Sequence, residues 1–427
     1  MKLMDSLSRR SFLGSAAAAA VPALRYSPLD GVKRENLKIT DVKVTLLSYE
    51  LPPEKQWVSG TFLVWKCDAI LVEIFTDKGI TGIGEPSPYG GPEQVKQFIE
   101  EYARPRLIGQ NPFDVEKLCA TWGDSPFRYQ VAWAGLDAAL WDIVGKARGL
   151  AVWKLLAAGN PPNPRIRMYA SGGVEYAWHK RPEALIEEAV RHQEAGYTAF
   201  KFRIGTDWKR SGMTVAKYIP WIRKLREAVG PKMDLMQESN MRLTLEECLE
   251  LCPVLEELKF LWFEEPINRR GEKAIEGHIR IRQALKTVKV SGGETMATRF
   301  DFKQWIDRDA YDIVQPDCNT TGITEAWHIA AIAALRSKHC CPHNWHGGLT
   351  TMANAALVAG IPNRFMLELN QTFNPLKEEV FRNPLVVRKG YLDLPDRPGF
   401  GVDLAPGLAQ KFPYVAGSYM KPNPDLP

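Results

Sequence analysis

The sequence predicts an α/β protein, a parallel strand–helix barrel preceded by a smaller α+β domain. Three observations predict it. Eight short apolar segments alternate with amphipathic ones between residues 165 and 370. A polar residue able to do chemistry closes nearly every one of those segments. The length of 427 residues exceeds one ordinary domain, but it suits a barrel of about 250 residues with a partner.

The first 36 residues stand apart from the fold. Ser8-Arg9-Arg10-Ser11-Phe12-Leu13 precedes an apolar, alanine-rich run from Gly14 to Leu24. Paired arginines directly before such a run have the form of a twin-arginine export signal, which places the protein in the periplasm. The run is too short to span a bilayer, which takes about 20 residues, so no stable membrane insertion is expected after signal removal. A charged linker follows to Asn36.

Residues 37–164 read as the α+β domain. Val42-Val44-Leu46 and Ile70-Val72-Ile74 alternate with their neighbours, as strands do, and Lys78-Gly79 and Gly82 mark turns. From Pro92 to Leu156 the spacing turns helical, with Ala134, Asp137, Leu140, Trp141 and Ile143 three or four apart and Gly149 closing the helix. Asn160-Pro161-Pro162-Asn163-Pro164 is the linker to the barrel of residues 165–370.

The expected barrel strands are Ile166–Ala170, Thr198–Phe202, Met233–Met236, Phe260–Phe263, Val288–Ser291, Asp312–Val314, His339–Cys341 and Arg364–Leu367. An open doubly wound sheet would share this alternation, with one ligand crevice. In a barrel, chemistry collects at the C-terminal strand ends. Here those ends carry Lys201 and Arg203, then Glu238, Glu264, Glu294, Asp317, His343 and Glu368. From Glu238 onward they recur every 23 to 30 residues, close to one strand–helix unit. Carboxylates from three adjacent strands repel one another unless protonated or bound to a cation. Oxygen ligands with open positions suit Mg²⁺ better than Zn²⁺, so Glu238, Glu264 and Glu294 form the expected metal site. Asp317 and His343 close consecutive strands and suit acid–base work. His346 competes with His343 for that role.

Composition narrows the partners. Net charge is +5, from 55 basic and 50 acidic residues, and no dense basic stripe marks a nucleic-acid surface. The small surplus suits an anionic small molecule. The seven cysteines match no zinc or redox spacing and read as small buried hydrophobes.

At these residues the chain resembles the enolase superfamily, in its mandelate racemase-like branch. Ala134-Gly135-Leu136-Asp137-Ala138-Ala139-Leu140-Trp141-Asp142 looks like that family's helix signature, and Gly390 to Gly401 like its C-terminal return. The resemblance implies a modified (β/α)7β TIM-like barrel. Its α+β capping domain would be formed by both chain ends, with residues 371–427 as the return. It implies Mg²⁺ on Glu238, Glu264 and Glu294, proton removal alpha to a carboxylate, Lys201 facing the substrate carboxylate, an Asp317–His343 dyad, and Glu368 hydrogen-bonded to the substrate, where it would be protonated. Specificity would come from loops near Gln56–Phe62 and Pro88–Pro92, with Tyr169, Asn240, Trp345 and His346 as substrate-binding residues. Members assemble into homo-oligomers.

Two departures bear on function. The family's first metal ligand is usually Asp, and here it is Glu238. The second lysine of its Lys-x-Lys motif is Arg203, which does not release a proton near neutral pH. One-base chemistry on His343 then suits a dehydratase of acid sugars (aldonates or aldarates) giving a 2-keto-3-deoxy acid. Racemase, epimerase or cycloisomerase chemistry and a non-catalytic exported binding protein are the other readings.

Overall fold

The structure, a computed structural model, describes residues 27–119, 126–174, 176–271 and 273–423. The paired arginines and the apolar run, on which the expected export signal rests, lie outside them. β1 (Ile39–Glu50) pairs antiparallel with β4 (Lys66–Thr76), which pairs with β5 (Thr81–Gly84). Between β1 and β4 lies a hairpin of β2 (Trp57–Ser59) and β3 (Phe62–Val64). The helical stretch beyond Pro92 is divided, and Pro112 and Pro126 each stand at the start of a piece. Its longest piece, Phe127–Arg148, ends at Gly149 in the left-handed conformation, as expected of a C-terminal glycine.

That helix is buried on all sides from Val131 to Gly145, not along one stripe. Two buried carboxylates explain how it holds the domains together. Asp142 accepts from the amides of Ile83 (3.0 Å) and Phe400 (2.8 Å) and pairs with Lys146. Asp137 accepts from the amides of Ile323 (2.5 Å) and Thr324 (3.1 Å) in a barrel helix. Those amides are free to donate because Gly322, at φ 76°, breaks the helix Cys318–Leu335 just before them. β5 passes so close that a Cβ on Gly84 would meet the Gly135 carbonyl at 2.0 Å, which fixes glycine there.

The barrel strands are β6 (Arg165–Gly172), β7 (Ala199–Arg203), β8 (Asp234–Glu238), β9 (Trp262–Glu264), β10 (Lys289–Gly292), β11 (Ile313–Val314), β12 (His339–Cys340) and β13 (Leu367–Asn370). β6 to β12 pair in chain order, all parallel. β13 pairs parallel with β6, and a bridge from Cys340 to Arg364 closes the ring. Closure excludes the open doubly wound sheet. Helices Ala184–Glu194, Val215–Val229, Leu245–Glu257, Ala274–Ala284, Arg299–Asp307, Cys318–Leu335 and Gly348–Gly360 connect successive strands. The architecture is thus (β/α)7β. The last strand lies three residues later than expected, because Arg364 makes only the closing bridge and the ladder to β6 begins at Leu367.

The chain then returns. β14 (Val387–Arg388) and β15 (Tyr391–Asp393) form a hairpin whose second strand pairs with β6. β16 (Met420–Pro422) adds to β3, so both chain ends build the cap. All seven cysteines are free, and all but Cys67 are buried. Among the described residues no helix is long and apolar enough to cross a membrane.

Replacing Asp142 by Ala strands two buried amides and removes the partner of Lys146. Stability is expected to fall by about 2–5 kcal/mol, read as a lower urea midpoint at unchanged slope. A midpoint equal to the parent's would show that Asp142 does not join the helix to β5 and the C-terminal return.

Candidate active site

Register alone brings the acidic residues together. Glu238 and Glu264 are Cα partners across β8 and β9, and Glu264 is partner to Ser291 on β10, three residues before Glu294. One oxygen from each of Glu238, Glu264 and Glu294 lies within 4.8 Å of the others. Lys201, fully buried, reaches into the same group. Its ammonium contacts Glu264, lies 2.9 Å from Glu368 and is 3.5 Å from Glu238.

The electrostatics follow from that crowding. Burial, reinforced by repulsion from Glu238 and Glu368, pushes Glu264 above the usual carboxylate range, although Lys201 pulls the other way. Burial also raises Glu294, although His343 opposes this. Burial opposes the charge on Glu238, yet Lys201 and Arg203 hold it below its ordinary value. The same carboxylates keep the Lys201 ammonium charged well above its usual range, against the cost of burial. Glu294 Oε2 is buried and has no hydrogen-bond partner. A set of hard oxygen donors, two of them kept reluctant to ionise by burial and one accepting no hydrogen bond, fits a hard divalent cation.

The dyad is formed. His343 Nδ1 lies 2.7 Å from Asp317 Oδ2, which leaves Nε2 toward Glu294, 3.4 Å away. Asp317 is held by the Asn319 amide (3.0 Å) and Asn354 Nδ2 (3.1 Å). Burial works against protonation of His343, but Glu294, Glu368 and Asp317 push it up to about 10. Burial drives His346 down to about 4. Its ring packs edge-on against Tyr89, and its Nε2 is 3.4 Å from Ser87 Oγ. His346 is therefore held neutral and has no carboxylate partner among the described residues, which sets it apart from His343.

A cavity of about 380 Å³ opens above these groups. Arg203, Asn240, Glu294, Asp317, His343 and His346 line it, while Lys201, Glu238, Glu264 and Glu368 lie buried beneath. Arg203 is pinned between Glu238 (Nε to Oε2, 3.3 Å) and the Trp345 ring, 4.3 Å from its guanidinium carbon. Asn240 donates to Glu238 Oε1 at 3.1 Å from a left-handed backbone position that Asn tolerates.

Three expected substrate contacts need correction. Tyr169 is fully buried in the barrel's interior layer with Ala199, Met236 and Trp262. Its ring lies beneath the Lys201 ammonium, 5.8 Å away, not on the cavity wall. Ser171, two residues on and on the same side of the strand, occupies the rim level instead. Trp345 backs Arg203 and does not line the cavity. Glu368 is not a protonated acid awaiting substrate. It accepts from Ser171 Oγ (2.5 Å), the Asn344 amide (2.8 Å) and Lys201; burial opposes its charge, but Lys201, His343 and Ser171 hold it below its usual range. Its place is to position Lys201.

Several residues were not singled out in the sequence. Gln315 Nε2 (2.6 Å) and Trp262 Nε1 (2.9 Å) both donate to Glu264 Oε2 and orient it. Glu265, adjacent in sequence, turns away at φ 41° to accept from the Gly293 amide and pair with Arg269. From the cap, Trp57, Tyr89 and Phe127 reach the cavity, and Tyr419 stacks on Tyr89 at 5.2 Å. The loops at Gln56–Phe62 and Pro88–Pro92 do supply cavity residues. Tyr419 had no comparable signal, because only the pairing of β16 with β3 brings it there.

An eight-stranded barrel with a two-ended cap, three rim carboxylates and a rim lysine defines a class of barrel enzyme with an acidic, cation-ready mouth. Residues 184–408 match the family described as enolase C-terminal domain-like. Residues 54–157 match the mandelate racemase/muconate lactonizing enzyme N-terminal domain. The chain belongs to the enolase superfamily, in that branch. It is 30% identical over 384 residues to D-galactarolactone cycloisomerase of Agrobacterium fabrum, covering 86% of this chain and 97% of that protein. It is 30% identical over 352 residues to arabinonate dehydratase of Saccharolobus solfataricus, covering 81% and 90%. The solved structure of an enolase superfamily member from Polaromonas sp. JS666 superposes with a TM-score of 0.79 at 30% identity, over 89% of this chain and 98% of that one. A mandelate racemase/muconate lactonizing protein from Paracoccus denitrificans, complexed with magnesium, gives 0.75 at 26% identity, over 88% and 98%.

Glu85 offers a separate test of the cap–barrel contact. It accepts from the Thr350 amide at 2.9 Å, near the start of the helix Gly348–Gly360. Burial pushes its carboxyl up to about 7 from 4.5, with Asp317 as the repelling neighbour. A raised folded-state pKa gives stability that is complete below pH 4.5 and lost as pH rises through 7. Glu85→Gln removes this loss. The variant should gain on the parent between pH 5 and 8, by on the order of 3 kcal/mol. Parallel thermal-midpoint curves for parent and variant across that range would contradict it.

Proposed function

We propose that the protein is a Mg²⁺-dependent acid-sugar dehydratase that removes the proton alpha to a carboxylate and eliminates the beta hydroxyl. The observation that carries this reading is the pairing of one acid–base imidazole, His343, with a fixed cation, Arg203, where a second base would stand. A divalent cation on Glu294 would offset the carboxylate charge that raises His343 and free its Nε2 to take a proton. Burial opposes the charge on Arg203, but Glu238 and Glu294 hold it above its ordinary range, so it does not accept a proton. Two-base racemisation therefore lacks its second base.

The residues divide the work as follows. Glu238, Glu264 and Glu294 would hold the cation, as the magnesium complex of the Paracoccus relative supports. Bound there, a divalent cation supplies positive charge to the substrate's carboxylate oxygens. Lys201, charged and oriented by Glu368, adds a fixed donor for the charge that builds on those oxygens when the alpha proton leaves. Asp317 fixes the His343 tautomer so that Nε2 faces the substrate. Nε2 takes the alpha proton. The bond from the beta carbon to its hydroxyl then breaks, the electron pair leaves with oxygen, and His343 returns its proton to release water. The enol product tautomerises to a 2-keto-3-deoxy acid.

A second reading shares every step but the leaving group. If the beta oxygen belongs to a ring, the same one-base elimination opens that ring, and one relative is a cycloisomerase. Site of action is also a proposal: the Arg9-Arg10 signal directs the folded enzyme to the periplasm.

Purified enzyme with Mg²⁺ and a panel of aldonates and aldarates should release a 2-keto acid from at least one. Solvent-deuterium exchange without elimination across the panel would instead indicate epimerase chemistry. His343→Asn should lower kcat by at least about 10³-fold, and an active variant would move the base elsewhere. Chelator should abolish activity and lower the thermal midpoint, with both restored by Mg²⁺. A protein indifferent to chelator in both measurements would not be a metal-dependent lyase.

A further inference from the structure

Among the described residues, Arg242 is the one cavity-lining cation that the reaction does not use. It stands four residues past Glu238, in the loop before the helix Leu245–Glu257. Its guanidinium lies directly under the cap hairpin, where a Cβ on Gly60 would meet Nη1 at 3.6 Å. Nη1 donates to the Gly205 carbonyl at 2.7 Å. Its Nε is buried without any hydrogen-bond partner. No carboxylate pairs with it among the described residues. Asp207, which shares the cavity, is engaged with the Arg210 amide at 2.9 Å.

Arg203 shows what a satisfied guanidinium looks like in the same cavity, with Glu238 as counter-ion and Trp345 against its face. Arg242 has neither. A buried guanidinium Nε without a partner is costly, and burial together with the like charge of Arg203, opposed by Glu238 and Asp207, weakens the side chain's hold on its proton. An anion from the ligand would remove both penalties. A fork of N–H donors matches a carboxylate better than a hydroxyl. Ser59, Thr61 and Asn240, on the same wall, supply polar contacts for the hydroxyls of a sugar chain between the two ends.

We infer that Arg242 binds a second carboxylate, at the end of the substrate remote from the reacting one. The enzyme then acts on dicarboxylic acid sugars (aldarates) in preference to monocarboxylic aldonates. This rests on the acid-sugar reading above, and it names the substrate class of that same site.

The test separates binding from turnover. Affinities are measured by calorimetry on Mg²⁺-loaded His343→Asn enzyme, which holds ligand without consuming it. Two matched pairs serve as probes, D-glucarate with D-gluconate and galactarate with D-galactonate, and 6-phosphogluconate carries a distal phosphate. At least one aldarate should bind about 30- to 1000-fold tighter than its aldonate partner, the worth of one buried charged contact. Arg242→Gln, added to the same background, should bring that aldarate down to the affinity of its partner. Arg242→Lys, which keeps the charge but not the fork, should fall between. The assignment is overturned if no aldarate outbinds its aldonate, if the phosphate ester binds tighter than every aldarate, or if Arg242→Gln weakens both members of a pair equally, as a residue that only ties the hairpin to the loop would. Tight aldarate binding to the His343→Asn enzyme that Arg242→Gln abolishes, with no 2-keto acid formed by the parent enzyme, would uphold Arg242 and refute dehydration.

Discussion

Everything at the barrel mouth depends on holding Glu238, Glu264 and Glu368 around one ammonium. Lys201 touches all three, and each is almost fully buried. Removing charge from water is among the costlier things a fold can do, and it is tolerated only when every lone pair is engaged. The surrounding contacts read as responses to that demand. Gln315 and Trp262 engage Glu264, Ser171 and the Asn344 amide engage Glu368, and Asn240 and Arg203 engage Glu238. Glu294 is the exception, with a buried oxygen left over. The floor of the site is therefore rigid where it must be neutralised by protein and open where something else completes it.

The cap faces the opposite problem, since it must meet the barrel without covering its mouth. The helix Phe127–Arg148 resolves this by burying its charge. Asp137 reaches across to a barrel helix and Asp142 to β5 and the C-terminal return, so two carboxylates position three separate segments. With the cap anchored at that distance, the hairpin of β2 and β3 overhangs the cavity and brings Trp57 and the Gly60 turn over Arg203 and Arg242.

Much of this was legible in the sequence because parallel barrels repeat. One strand end per unit fixes a spacing, and the spacing alone brings Glu238, Glu264 and Glu294 within reach of each other. His343 and Asp317 follow from the same rule. What the repeat cannot tell is height within the barrel. Tyr169 and Ser171 sit on one side of one strand, yet one is interior packing and the other a rim donor. Nor can it show which neighbours share a charge. Glu368 would need to be protonated beside a substrate carboxylate only if it stood alone, and three donors keep it ionised. Helical spacing located the Phe127–Arg148 helix and its Gly149 stop, but not that its surroundings bury every face from Val131 to Gly145. Tyr419 reaches Tyr89 through a pairing between strands more than 300 residues apart, a contact without local pattern.

That last pairing sets an order of events during synthesis. The eight barrel strands are complete at Asn370, whereas the roof over the cavity waits for β16 at Met420–Pro422. At the usual pace of translation, roughly 5–20 residues per second, the interval is a few seconds. The acidic floor thus emerges before the chain that encloses it, and a small ion can reach the nascent rim before the roof is finished. The direction of synthesis gives the folding chain an opening that the finished molecule narrows.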